Sequence, residues 1–131
     1  MKKDIPELKV EDIAIAAVPS EDPNFWDIYI INLHEEEIKG VLIAASGYGE
    51  IDGVARKTST MRYFFDKMDA LDMQLIEPLS IDVFDLTSEY WVSFSLNGNL
   101  YDKRYLFVPG SLNPINFMRI PFIEKDGVMI R

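Results

Sequence analysis

Apolar and polar positions alternate most clearly near the C-terminal end, where EYWVSFSL sets Tyr90, Val92, Phe94 and Leu96 against Trp91, Ser93 and Ser95. That period of two belongs to a strand half buried in a sheet. Asn97-Gly98 follows, and both central positions of a type I′ turn need positive φ, which Asn and Gly tolerate. The return, YDKRYLFV, opposes Tyr101, Lys103, Tyr105 and Phe107 to Asp102, Arg104, Leu106 and Val108. Residues 90–108 therefore read as a β-hairpin.

The rest of the chain repeats this theme in shorter pieces. In VEDIAIAAV, Ile13 and Ile15 alternate with alanines until Pro19, and the polar run 20–24 is a turn by composition. FWDIYIINL is apolar on both sides, with Trp26, Ile28 and Ile30 opposed to Phe25, Tyr29, Ile31 and Leu33. Such a strand is central in its sheet and covered on its second face. HEEEIKG makes a charged turn into the strand VLIAAS. Residues 61–76 fit two periods, because Met61, Tyr63 and Phe65 alternate while Met61, Phe64, Phe65, Met68, Leu71 and Leu75 form a helical stripe. The expectation is a strand through about Phe65, a turn near residues 69–72 and a strand through Ile76, with a helix as the alternative. Pro114 starts INFMRIPFI, in which Pro121 marks an edge strand or a break, and Asp126-Gly127 predicts a small turn before VMIR. Seven to nine short strands with frequent turn signals predict an all-β fold, an immunoglobulin-like or related antiparallel β-sandwich.

At 131 residues the chain fits one domain able to bury its own core; residues 1–9 read as a polar lead-in and 10–131 as the sandwich. The lack of cysteine excludes thiol catalysis, disulfides and cysteine-bound metal. A net charge of −9, from 22 acidic and 13 basic residues, disfavours nucleic acid. Acidic residues interrupt the start of the chain, and no apolar run is long enough to span a bilayer. A cytoplasmic protein without membrane insertion is the expectation.

The stretch SGYGEIDGVARKTST resembles a phosphate loop in its glycines and Lys57-Thr58. Arg56 stands where that loop needs glycine, and no GxGxxG occurs, so a long turn or hairpin is the simpler reading. His34, the single histidine, lies beside Glu35, Glu36 and Glu37, where neighbouring strand positions alternate faces and no second histidine completes a zinc site. Glu77, Asp82, Asp85 and Glu89 could supply paired carboxylates to a small hydrolase, though sequence spacing by itself does not show two of them facing across a cleft. No metal or cofactor set emerges. The aromatic and charged residues Trp91, Tyr101, Lys103 and Arg104 on the hairpin arms are the candidate binding surface. The alternative is that Tyr90, Phe94, Tyr105 and Phe107 fill the core and Trp91 covers a second layer.

WDIYIINL, VLIAASGYG, RKTSTMRYF, EYWVSFSLNGNLYDKRYLFVPG and IPFIEKDGVMIR together resemble a little-characterised family of short Bacteroidota proteins, over residues 10–131. Some members carry a phenylalanyl-tRNA synthetase subunit label. That label implies a much larger α/β domain with arginine-bearing motifs for ATP and tRNA, and none can be laid onto Arg56, Arg62, Arg104 or Arg119, so aminoacylation is not expected here. The expected function is a non-enzymatic structural or interaction domain with a protein partner or a homo-oligomeric state. The alternatives are a small glycan- or small-molecule-binding domain and a carboxylate hydrolase.

Overall fold

The computed structural model describes residues 10–131, so the lead-in expected over residues 1–9 lies outside the described residues. Among the described residues ten strands form: β1 (Ile13–Pro19), β2 (Phe25–Asn32), β3 (Ile38–Ile51), β4 (Val54–Lys57), β5 (Met61–Met68), β6 (Asp72–Ser80), β7 (Thr87–Leu96), β8 (Asn99–Phe107), β9 (Met118–Ile120) and β10 (Lys125–Ile130). They make two antiparallel five-stranded sheets, one ordered β6-β2-β1-β10-β9 and the other β4-β3-β7-β8 with β5 also on β3. The count exceeds the expected range because the glycine-rich segment closes as an extra hairpin, whereas INFMRIPFI keeps only three residues in a strand. Pro121, without an N–H, ends that short edge strand.

The sheets share one apolar core, which is the arrangement of a β-sandwich. Ile13, Ile15, Ile28 and Ile30 from the first meet Ile43, Tyr90, Val92, Phe94, Tyr105 and Phe107 from the second. Tyr105 also crosses the gap, its hydroxyl donating to the Ile13 carbonyl at 2.6 Å. Burial pushes this phenol's pKa up, so it stays a donor. The second face of β1 and β2 is covered as well, because Ile120 packs on Ala14, Ala16, Val18 and Ile31 with Ile123 beside them. The two-sided apolar pattern of β2 has this cause.

The ambiguous segment 61–76 is now defined. Residues 61–68 are strand rather than helix, and alternate positions Tyr63 and Phe65 pack on the core while Phe64 points to solvent. Asp126-Gly127 is not a turn. It lies inside β10, and the reversal falls earlier, where Phe122 and Glu124 take positive φ. Gly127 is there because β10 runs hard against β1: a Cβ on it would overlap the Ala17 carbonyl oxygen.

Asn32, which no pattern flagged, is fully buried at the end of β2. Its Nδ2 donates to the Glu36 carbonyl at 3.0 Å and the Asp69 carbonyl at 2.9 Å, and its Oδ1 accepts from the His34 amide at 3.0 Å. One side chain thus fixes both the charged turn and the β5–β6 turn. Among the described residues no helix is long and apolar enough to cross a membrane.

Candidate functional site

The β7–β8 hairpin forms as its pattern predicts, with Asn97 at φ 51° and Gly98 at φ 80°. Strand alternation then divides the four candidate binding residues between two faces. Trp91 and Arg104 are paired neighbours on the outer face of the second sheet, with Trp91 43% exposed and the guanidinium 5.5 Å from its ring centre. Glu89 accepts from Arg104 at 2.8 Å and from the Tyr48 hydroxyl at 3.3 Å. That hydrogen bond, together with the carboxylate charge, raises the guanidinium pKa further. Tyr101 and Lys103 point inward. Tyr101 stacks on Phe94 with ring centres 5.3 Å apart, and Lys103 donates to the Val10 carbonyl at 3.1 Å while lying over Tyr105. A single surface made of all four residues therefore does not form.

What the outer face does carry is a set of apolar side chains that sequence inspection passed over. The register aligns Arg62, Ala44, Trp91 and Arg104 in one row across β5, β3, β7 and β8, and Phe64, Leu42, Ser93 and Asp102 in the next. Glu89 and Leu106 flank the first row, Ser95 and Leu100 the second. Leu42, Phe64, Leu100 and Leu106 are all exposed, Leu100 by 82%. The alternation signal that would have found them is weak, because serines and alanines share their rows. Beside them, a bulge between Lys39 and Leu42, with Gly40 at φ 56°, opens a groove of about 590 Å³ whose rim includes Tyr101 and Asp102.

The carboxylates are dispersed. Asp82 and Asp85 are exposed on the turn around Ile81–Val83, and Glu89 faces outward to Arg104. Glu77 alone turns into the gap between the sheets. The register of β2 and β6 pairs Ile28 with Glu77 and Tyr29 with Leu75, skipping Ile76. This bulge turns two successive residues inward, since an extra residue in one strand re-aims the side chains beside it. Ile76 joins the core, and the Glu77 carboxylate accepts from Tyr63 at 2.6 Å on Oε1 and from Tyr90 at 2.7 Å on Oε2. Burial first, then the Glu77 hydrogen bond and charge, push the Tyr63 phenol up to about 12, and the same causes raise that of Tyr90. Both phenols hold their protons and donate.

Glu77 lines a cleft of about 220 Å³ bordered by residues of β3, β5, β6 and β7. Met61, Leu79 and Val83 give it apolar walls, and Ser88 reaches it from β7. The glycine-rich stretch serves here as a wall. It is a hairpin with Asp52 and Gly53 at positive φ, and its base is closed by Thr58, whose Oγ1 accepts from the Gly47 amide at 2.7 Å. That bond occupies the Gly47 amide, a donor that a phosphate would need. Lys57 is exposed in β4, away from any cradle. His34 lies 3.7 Å from Asp12, which Arg131 also reaches at 2.9 Å, and among the described residues no group of three or more histidine or carboxylate side chains gathers.

The described residues define an all-β domain of two antiparallel sheets, with exposed apolar side chains among charged ones on the outer face of the second sheet and a small cleft at Glu77. No family model, curated protein or solved structure matches the chain.

Proposed function

We propose that this is a non-enzymatic interaction domain that pairs with a second copy of itself through the outer face of the second sheet. One observation carries the reading: the outward side chains of β8 run Leu100, Asp102, Arg104, Leu106, an order complementary to its own reverse. A two-fold axis lying in the interface and crossing the strands between the Trp91 and Ser93 rows would invert the rows. Leu106 of one copy would then meet Leu100 of the other, Arg104 would meet Asp102, and Arg62 would cover Phe64, each twice. Closed two-fold pairing reuses the same patch on both copies, as an isologous interface requires. It would also remove Leu42 and Trp91 from water, which is the main favourable term in such association.

Edge-to-edge extension through β8 fits less well. Antiparallel pairing in the same register would set Lys103 opposite Lys103, and like charges directly opposed destabilise a strand pair. Sedimentation equilibrium tests the reading. The wild-type chain is expected at twice its 15.1 kDa mass, Trp91→Glu and Arg104→Asp as monomers, and the exchange of Arg104→Asp with Asp102→Arg as a dimer again. A monomeric wild type overturns the reading, as does a Trp91→Glu dimer, the result expected of edge pairing.

A further inference from the structure

The cleft at Glu77 lies on the other side of the second sheet from the pairing face, and its chemistry is unlike that face. We infer that it binds a small primary ammonium compound carrying a short aliphatic chain and a second polar group. Glu77 supplies the first anchor. Each carboxylate oxygen can accept about two hydrogen bonds, and each receives one from a tyrosine, so acceptor capacity remains on both. The two phenol donors are neutral, and among the described residues no lysine, arginine or histidine pairs with this carboxylate. Glu77 is half-buried and lines the cleft, so a positive group entering there meets a carboxylate that no side-chain cation among the described residues already occupies.

Ser88 supplies an independent second anchor. It is 5% exposed, lies on the inward face of β7 and lines the cleft. Its hydroxyl has no hydrogen-bond partner among the described residues, and a buried hydroxyl left unpaired is unfavourable in a folded protein. Met61, Leu79 and Val83 line the same cleft and suit methylene groups rather than a metal ion's water shell. A lone carboxylate flanked by phenols is also a poor set of ligands for a hard cation, which takes six or more oxygens. The volume limits the guest, since about 220 Å³ is below the usual span of ligand pockets, about 300–1,000 Å³. The overall charge of −9 favours approach of a cation.

The test is a titration of isotope-labelled protein with aminopropanol, followed by amide shifts in a nuclear magnetic resonance spectrum at neutral pH. Saturable shifts are expected at Gly47, Ser59 and Ser88. Propanediol, of similar size but uncharged, is expected to bind about tenfold more weakly or worse, the margin of a charge-assisted over a neutral hydrogen bond. Glu77→Gln, which keeps the side-chain shape, should lose the same factor, and Ser88→Ala should weaken binding severalfold. The two-ligand comparison uses the wild-type chain and needs no variant to fold. The inference is overturned if aminopropanol gives no saturable shift in the cleft, if propanediol binds equally well, or if a folded Glu77→Gln protein binds aminopropanol as the wild type does.

Discussion

Replacing Asn32 by alanine should lower stability by about 3 kcal/mol. The side chain makes three hydrogen bonds to backbone groups while fully buried, and each such bond contributes about 1 kcal/mol net. The Glu36 and Asp69 carbonyls, near the surface, can recover part of their hydration, which sets the lower end near 2 kcal/mol; the new cavity pushes the other way. For a chain of this length the unfolding entropy is about 0.28 kcal/mol per kelvin, so 3 kcal/mol corresponds to a drop in Tm of about 11 °C. Asn32→Asp provides an internal check. It retains an acceptor for the His34 amide but turns both donors into acceptors facing carbonyls and buries a charge, so at neutral pH it should be worse than alanine. Urea unfolding followed by circular dichroism, with unchanged m-value, measures both. A loss below about 1 kcal/mol for alanine, or an aspartate variant more stable than the alanine one, would refute the assignment of Asn32 as the clasp of the two turns.

Gly127→Ala should destabilise by at least about 2 kcal/mol, because the added carbon meets backbone held in a sheet rather than a movable side chain; equilibrium denaturation that finds less than half of this would mean that β10 can shift. Alkaline titration offers a second check. The Tyr63 phenol is raised from 10.0 to about 12 in the fold, so the protonated form is favoured there. The resulting stability is complete below pH 10 and lost as pH rises from 10 toward 12. Tyr63→Phe should flatten that part of the profile, and an unchanged slope would count against the Tyr63–Glu77 bond.

Where local pattern and tertiary packing agree, the architecture was legible. The Tyr90–Leu96 alternation and Asn97-Gly98 specify a hairpin without help from elsewhere, and Phe25 through Leu33, apolar on both sides, declared a central strand covered on its second face. Asp126-Gly127 failed because its glycine answers a close approach from β1, a distant segment, rather than a local reversal. The site was less visible. Opposite parity already separated Arg104 from Tyr101 and Lys103 along β8, but the inward turn of Glu77 depends on a bulge defined only by pairing with β2. Ser88 and Asn32 are small polar residues whose importance comes from burial, which no spacing encodes. The apolar outer face was likewise hidden, since Leu42, Phe64, Trp91 and Leu106 come from four strands and meet only when the sheet is assembled.

The position of β10 bears on how quickly this arrangement can be reached. β1 lies in the interior of its sheet between β2 and β10, and Ile15 is paired with Ile130, a partner more than a hundred residues along the chain. Closing so large a loop has an entropic cost that must be met before the contacts it permits can compensate. Refolding should therefore be slow for a molecule of this size, with late zippering of β10 onto β1. Until that step, one side of β1 keeps open N–H and C=O groups, an unguarded template on which crowded, half-finished chains can aggregate.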